Sequence, residues 1–247
     1  MIKVGLVGIG FMGWIHWNAY RQVDGISVTA ICSRDAAKRR GDWSSIQGNF
    51  GPPGSQVDLA EIEVYESIEA MLESTDVDLV DICLPPNLHR QACLTAFQAK
   101  RHVFCEKPLA VSLEDCDAII QAANAANRLI LVGHVLPYFP EYQFARSLID
   151  SGKYGKLLGG TFRRVISDPT WLTDFYHPQK TGGPLIDLHV HDAHLIRMLF
   201  GMPVQVDCVA RFRESVVSYC HSLFRFENPN LVVASASGVI EQHGRPF

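Results

Sequence analysis

Short unbroken apolar runs alternate along the first half of the chain with stretches whose apolar residues recur at helical spacing. Residues 2–7, 26–31, 79–84, 102–105 and 129–132 are apolar and rich in β-branched side chains. Runs without polar alternation predict strands buried on both faces, as in a parallel sheet. Helices are predicted over 14–22, 35–40, 67–72, 88–100 and 112–127. Ser67 and Ser112 stand as N-caps, and Asp115, three residues after Ser112, makes a weak capping box. Residues 41–56, rich in Gly, Pro and Ser, read as a surface loop. Strand–helix alternation to about residue 133 predicts a doubly wound α/β domain over 1–133. The pattern then changes. After a helix over 141–151, long runs at 156–167, 204–213, 217–226 and 231–242 show partial alternation, interrupted only by a helical pattern over 185–200. They predict a second, antiparallel α+β domain over 134–247.

Composition narrows the function classes without choosing one. The 247 residues are 47% hydrophobic and 19% charged, ordinary for a soluble globular protein. A net charge of −4 leaves no basic footprint for nucleic acid. The seven cysteines are odd in number, form no CxxC pair and sit mostly in apolar runs, which reads as reduced core thiols of a cytoplasmic protein. No membrane segment is visible, and the apolar first fifteen residues read as a strand and turn rather than a signal peptide.

The strand at 2–7 runs directly into Gly8-Ile9-Gly10-Phe11-Met12-Gly13 and then a helix. In this context a G-x-G-x-x-G loop predicts a dinucleotide site: Gly8 for the tight turn, Gly10 for close approach of a pyrophosphate, Gly13 for helix–strand packing. The N-terminus of the following helix supplies unpaired N–H groups and the positive end of its dipole to the phosphates, and Phe11 and Met12 within the loop join the expected cofactor contacts. At the end of the second strand, where NAD-preferring sites usually carry an acid, stand Cys32 and Ser33, followed by Arg34. A hydroxyl and a guanidinium suit a ribose 2′-phosphate, so NADP(H) is favoured. Asp35 keeps NAD(H) possible, unless it serves as the cap of the next helix.

Two further motifs fall at strand ends facing the expected ligand crevice. In "CLPPNLH", residues 83–89, Pro85 stiffens the turn, and Asn87 either meets cofactor or caps the following helix; His89 closes the motif. In "FCEKPL", residues 104–109, Lys107 is placed to polarise a carbonyl or donate a proton, with Glu106 to orient it.

With these motifs in order, the chain resembles the Gfo/Idh/MocA oxidoreductases. The matches are the Gly8–His16 segment, "PPNLH" at 85–89, "EKP" at 106–108 and "GGPLIDLHVHDAHLIRML" at 182–199. The resemblance implies a Rossmann domain followed by an α+β domain with an open, mostly antiparallel sheet. It implies hydride transfer between a nicotinamide and a secondary alcohol or carbonyl, commonly of a sugar or cyclitol, and frequent oligomers packed through that sheet. The EKP lysine falls on Lys107, and the family's D-x-x-x-H pair on Asp187 and His191. Glu106, Pro85, Asn87 and His89 join the expected cofactor contacts.

On a continuous helix, at about 100° per residue, Asp187 and His191 lie about 40° apart and His194 returns to within about 20° of Asp187. That face admits an acid–base pair in which His191 carries the substrate proton and Asp187 orients it. It also admits a carboxylate–histidine metal site or ordinary helix polarity; the acid–base reading is preferred and no metal is expected. His189, on the other side, reads as structural. Tyr138, Trp171, Tyr176 and His194 are candidate substrate contacts. The chain ends at Phe247, where relatives usually continue, so it reads as truncated at its C-terminus. Two other readings stand behind an active NAD(P) oxidoreductase: a nicotinamide-binding sensor or scaffold without catalysis, and an enzyme resembling dihydrodiol dehydrogenases.

Overall fold

The computed structural model describes residues 1–169 and 172–240. The chain divides into two compact units, Met1–Gly133 and His134–Phe247.

The first unit is built on a six-stranded sheet in the order β3-β2-β1-β4-β5-β6. Its strands are β1 (Ile2–Val7), β2 (Ile26–Cys32), β3 (Glu63–Tyr65), β4 (Leu79–Ile82), β5 (His102–Cys105) and β6 (Ile130–Val132), and all paired neighbours are parallel. This is the doubly wound dinucleotide-binding order, which reverses beside β1 and opens a crevice at the strands' C-terminal ends. The apolar runs are explained by burial on both faces. Val4, Leu6 and Ile31 pack with Trp14, Trp17 and Trp43 on one side. Val7, Val80, Ile82 and Val103 pack with Met71, Phe97 and Ile119 on the other. The helices are α1 (Phe11–Tyr20), α2 (Ala36–Arg39), α3 (Ile68–Ser74), α4 (His89–Gln98) and α5 (Leu113–Ala126).

Four details differ from the sequence reading. Helix α1 begins at Phe11, three residues before the predicted start, so its N-terminus lies on the glycine loop itself. Strand β3 was not foreseen, being only three residues long and half-polar. The 41–56 segment is not simply a surface loop: Trp43 is fully buried and its indole N–H donates to the Lys38 carbonyl at 2.8 Å. Ser112 does cap α5, accepting the Asp115 N–H at 3.1 Å, while the Asp115 carboxylate pairs with Arg90 at 3.2 Å.

The second unit carries a four-stranded sheet in the order β7-β10-β9-β8. Its strands are β7 (Gly159–Ser167), β8 (Gln205–Arg213), β9 (Val216–Arg225) and β10 (Val232–Ile240). The meander β8-β9-β10 is antiparallel, but β10 runs parallel to β7, so the sheet is mixed and mostly antiparallel. The helices are α6 (Pro140–Asp150), α7 (Gly183–Asp187) and α8 (His189–Phe200). Ile196 of α8 packs with Phe224, Phe226 and Val233 beneath it. Among the described residues, no helix is long and apolar enough to cross a membrane.

Candidate functional site

The three loop glycines each meet a different constraint. Gly8 has φ +94°, the left-handed region, and a Cβ there would press on the Cys83 backbone carbonyl. A Cβ on Gly13 would collide with the Gly8 carbonyl, so the helix packs on the turn only without a side chain. Around Gly10, by contrast, nothing lies within 4 Å of a built Cβ. The first bond of α1 runs from the Trp14 N–H to the Gly10 carbonyl at 3.0 Å, which leaves the amides of Phe11, Met12 and Gly13 outside the helical ladder. An open cradle beside spare N–H groups at a helix start is what a pyrophosphate requires.

The Phe11 side chain does not face this cradle: it packs edge-on against Phe50, with ring centroids 4.8 Å apart. What Phe11 can offer a ligand there is its backbone N–H.

A crevice of about 470 Å³ opens over the loop, lined by Gly8, Gly10, Ser33, Arg34, Lys38 and Pro85 among others. The acid position of β2 is held by Cys32, whose thiol is pushed up to about 11, by burial first and by Glu69 second. It therefore presents an uncharged group at neutral pH. Asp35 is committed elsewhere, since its Oδ1 accepts the N–H groups of Ala37 at 2.8 Å and Lys38 at 3.4 Å and so caps α2. Arg34 is exposed and makes no ion pair or hydrogen bond among the described residues. Lys38 adds a second cation to the crevice that the sequence reading missed, although it follows Arg34 by only four residues. The residues present thus fit a dinucleotide, with cationic groups at the ribose end.

His89 requires a correction. It was expected to contact cofactor, but it is fully buried, with Nδ1 2.9 Å from the Pro108 carbonyl and Nε2 2.8 Å from the Leu84 carbonyl. Burial holds its pKa below the ordinary histidine value. Its ring ties the turn after β4 to the turn after β5 and leaves no nitrogen for a ligand. Asn87 sits exposed in the 3₁₀ turn Pro86–Leu88, outside the residues lining the crevice, and does not cap α4.

Lys107 is half-buried in the turn after β5. Glu106, 6% exposed, accepts the Lys107 backbone N–H on Oε2 at 3.2 Å. Its other oxygen, Oε1, lies 3.1 Å from Nε2 of His16, whose Nδ1 is 2.8 Å from Oδ2 of fully buried Asp81. This cluster was missed from the sequence. An aspartate inside the apolar run "LVDI" was the available signal, because a buried carboxylate demands a partner.

In the second unit the helical pattern over 185–200 is broken at Leu188, which separates α7 from α8. Asp187 ends α7 and His191 lies in the first turn of α8, so the two stand on separate helical segments, although Leu188 between them keeps right-handed helical dihedrals (φ −97°, ψ −50°); His191 and His194 share α8. Of the other polar residues, Asp192 is a structural ion pair, held by Arg164 through two bonds of 2.9 and 3.0 Å. His189 is a core residue, its Nε2 2.7 Å from Ser235 Oγ and its ring stacked on Phe224. The His194 ring stacks flat on His134 at 4.0 Å. Its pKa is lowered by burial and then by Arg197. Tyr176 gives its hydroxyl to Asp168 at 2.9 Å and its ring face to Arg213, which commits it locally rather than leaving it for substrate. Tyr138 is exposed in the 3₁₀ turn Leu136–Tyr138, and Trp171 lies outside the described residues.

A glycine-loop parallel sheet followed by a mixed sheet, with an E-K-P turn closing β5, matches two family models in succession. Residues 2–134 match the oxidoreductase family NAD-binding Rossmann fold, and residues 142–246 match the GFO/IDH/MocA C-terminal domain. The chain belongs to the GFO/IDH/MocA oxidoreductase family. Curated relatives include the 2,7-anhydro-N-acetylneuraminate hydratase of Escherichia coli, 26% identical over 81% of this chain and 50% of its own length. The myo-inositol 2-dehydrogenase of Thermotoga maritima is 25% identical over 83% of this chain and 56% of its own. Among solved structures, apo scyllo-inositol dehydrogenase from Lactobacillus casei superposes with a TM-score of 0.80 at 23% identity, over 100% of this chain and 71% of that one, a likeness of fold. This GFO/IDH/MocA chain spans about half the length of the curated relatives it matches.

Proposed function

We propose that the chain is an NADP(H)-dependent oxidoreductase that moves a hydride between nicotinamide and a secondary alcohol or carbonyl of a sugar- or cyclitol-like substrate. The observation that carries this reading is the crevice over the glycine loop, with Gly10 open, helix amides spare and Arg34 and Lys38 at its rim. Asp35, spent as a helix cap, supports NADP(H) over NAD(H). When bound, the nicotinamide accepts or supplies the hydride.

Lys107 donates a hydrogen bond to the substrate oxygen, stabilising the charge that develops as a carbonyl becomes an alkoxide. His191 delivers the proton to that oxygen in reduction and removes it in oxidation, as an imidazole can act as general acid or general base. Asp187 orients substrate and imidazole. The dehydrogenase and hydratase names of the relatives support a polyhydroxylated substrate. Exposed Val206, Val209 and Phe212 on edge strand β8 support association of copies through the second unit's sheet. Seven free thiols support a reducing compartment such as the cytoplasm.

The test is Lys107→Ala, assayed by NADPH oxidation against a panel of ketoses and inososes and by NADPH titration. Turnover is expected to fall by about 100-fold or more, the scale of removing one preorganised donor, with the Kd for NADPH within a few-fold of wild type. Wild-type turnover in the variant refutes the assignment.

A further inference from the structure

Between the glycine loop and the E-K-P turn lies a buried polar cluster that the proposed reaction does not use directly. His16 points both ring nitrogens at carboxylates: Nδ1 to Asp81 at 2.8 Å and Nε2 to Glu106 at 3.1 Å. The Asp81 side chain is fully buried and that of Glu106 is 8% exposed. An ionised carboxylate only accepts, so two such contacts ask for two ring N–H groups. Further neighbours include Tyr20 on α1, whose hydroxyl donates to Asp81 at 2.9 Å, and the Cys83 thiol after β4. Phe104 of β5 stacks flat on the ring at 5.2 Å.

These groups do not read as a metal centre. His16, Asp81 and Cys83 do bring ligand atoms within 4.8 Å of one another. However, two ligands at about 2.0 Å from a tetrahedral ion stand about 3.3 Å apart, wider than the 2.8 Å between Nδ1 and Oδ2. Burial, with Asp81 behind it, also pushes the Cys83 thiol well up, away from the thiolate a metal needs.

We propose that His16 is a positioning residue for the E-K-P turn: its ring, clamped between Asp81 and Glu106, fixes the Glu106 carboxylate, which in turn holds the Lys107 amide. The chain of contacts is continuous. Glu106 Oε2 takes the Lys107 N–H at 3.2 Å. Its Oε1 fills the space a Cβ on Gly133 would need, at 2.9 Å, so the carboxylate sits in a slot between α1 and the end of β6. Burial disfavours charge on the ring, but the hydrogen bonds to Asp81, Cys83 and Glu106 outweigh it and raise the pKa far above the ordinary value. Both effects of the two carboxylates, geometric and electrostatic, favour the imidazolium, the form that offers a donor to each. Its catalytic consequence rests on the role proposed for Lys107.

The first test needs no cofactor. In ¹⁵N-histidine spectra of the chain from pH 6 to 9, one imidazole stays doubly protonated, and its signals vanish in His16→Gln. A spectrum in which every histidine becomes neutral by pH 8 overturns the clamp. In the second test, amide exchange at Lys107 is slow in the wild type and accelerates in His16→Gln; unchanged protection overturns the link from ring to turn. In the third, His16→Gln lowers kcat for NADPH-dependent ketone reduction by about 100-fold, the cost of misplacing a catalytic group by an ångström, with the Kd for NADPH near wild type. Wild-type kcat in His16→Gln beside an inert Lys107→Ala refutes the positioning role. An active Lys107→Ala refutes the proposed catalytic assignment instead, and the spectra and exchange rates still decide the clamp.

Discussion

Gly8 and Gly10 stand two residues apart in one loop, yet replacing each by alanine should produce opposite phenotypes. At Gly10 the backbone is extended, with φ −103° and ψ −160°, and nothing lies within 4 Å of the added methyl. Alanine is compatible there, and reduced freedom of the unfolded chain should stabilise the fold by about 0.4–1 kcal/mol. For a chain of this size that is a Tm rise of about 1–4 °C. The methyl would occupy the cradle where a pyrophosphate approaches the helix amides. Losing two charge-assisted bonds of about 1.5–3 kcal/mol each weakens NADPH binding by about 10²–10⁴-fold. At Gly8, φ +94° and the Cys83 carbonyl both oppose a side chain, so Gly8→Ala should cost about 2 kcal/mol or more and lower Tm by about 4–8 °C. Thermal denaturation and NADPH fluorescence titration of the two variants measure both quantities. A Gly10→Ala protein that binds NADPH as the wild type does, or melts as early as Gly8→Ala, refutes the division of labour in the loop.

Arg34→Ala should weaken NADPH by about 10–100-fold, the worth of one charged hydrogen-bonding partner, and leave NADH within a few-fold; equal losses for the two cofactors in parallel titrations rule out 2′-phosphate recognition by Arg34. Stability should fall with acid in a window below about pH 6.5, the ordinary histidine pKa. Burial lowers the His189 pKa, so as the pH drops the unfolded chain takes up a proton that the native core refuses, and stability declines by up to about 1.4 kcal/mol per unit for that one group. Urea titrations of His189→Gln, which keeps a partner for Ser235, should show a shallower decline between pH 6.5 and 5; an unchanged slope means that His189 is not the group responsible.

The apolar runs at 2–7, 26–31, 79–84 and 102–105 identified the parallel sheet from sequence because strands covered on both faces are predominantly apolar and lack a regular polar alternation. The loop glycines were equally legible, since a left-handed turn at Gly8 and a close approach at Gly13 exclude a Cβ, while Gly10 completes the motif at a position the fold leaves open. Local chemistry also marked Ser67 and Ser112 as caps. Periodicity could not register the break at Leu188, because that residue keeps right-handed helical dihedrals and the apolar pattern runs on through it; the break nonetheless places Asp187 and His191 on separate helical segments.

Partner choice was the part that only tertiary structure decided. His89 sat in a motif at the crevice edge, yet two backbone carbonyls from separate turns claim its ring. Asp35 and Arg34 are neighbours in sequence, but the start of α2 takes the carboxylate and leaves the guanidinium exposed. His16, Asp81 and Glu106 come from three distant segments, and no spacing rule relates them. Sequence determines an element through interactions between near neighbours and through its average environment. Which polar groups meet depends on how strands and helices are brought together, and desolvation then makes those meetings obligatory.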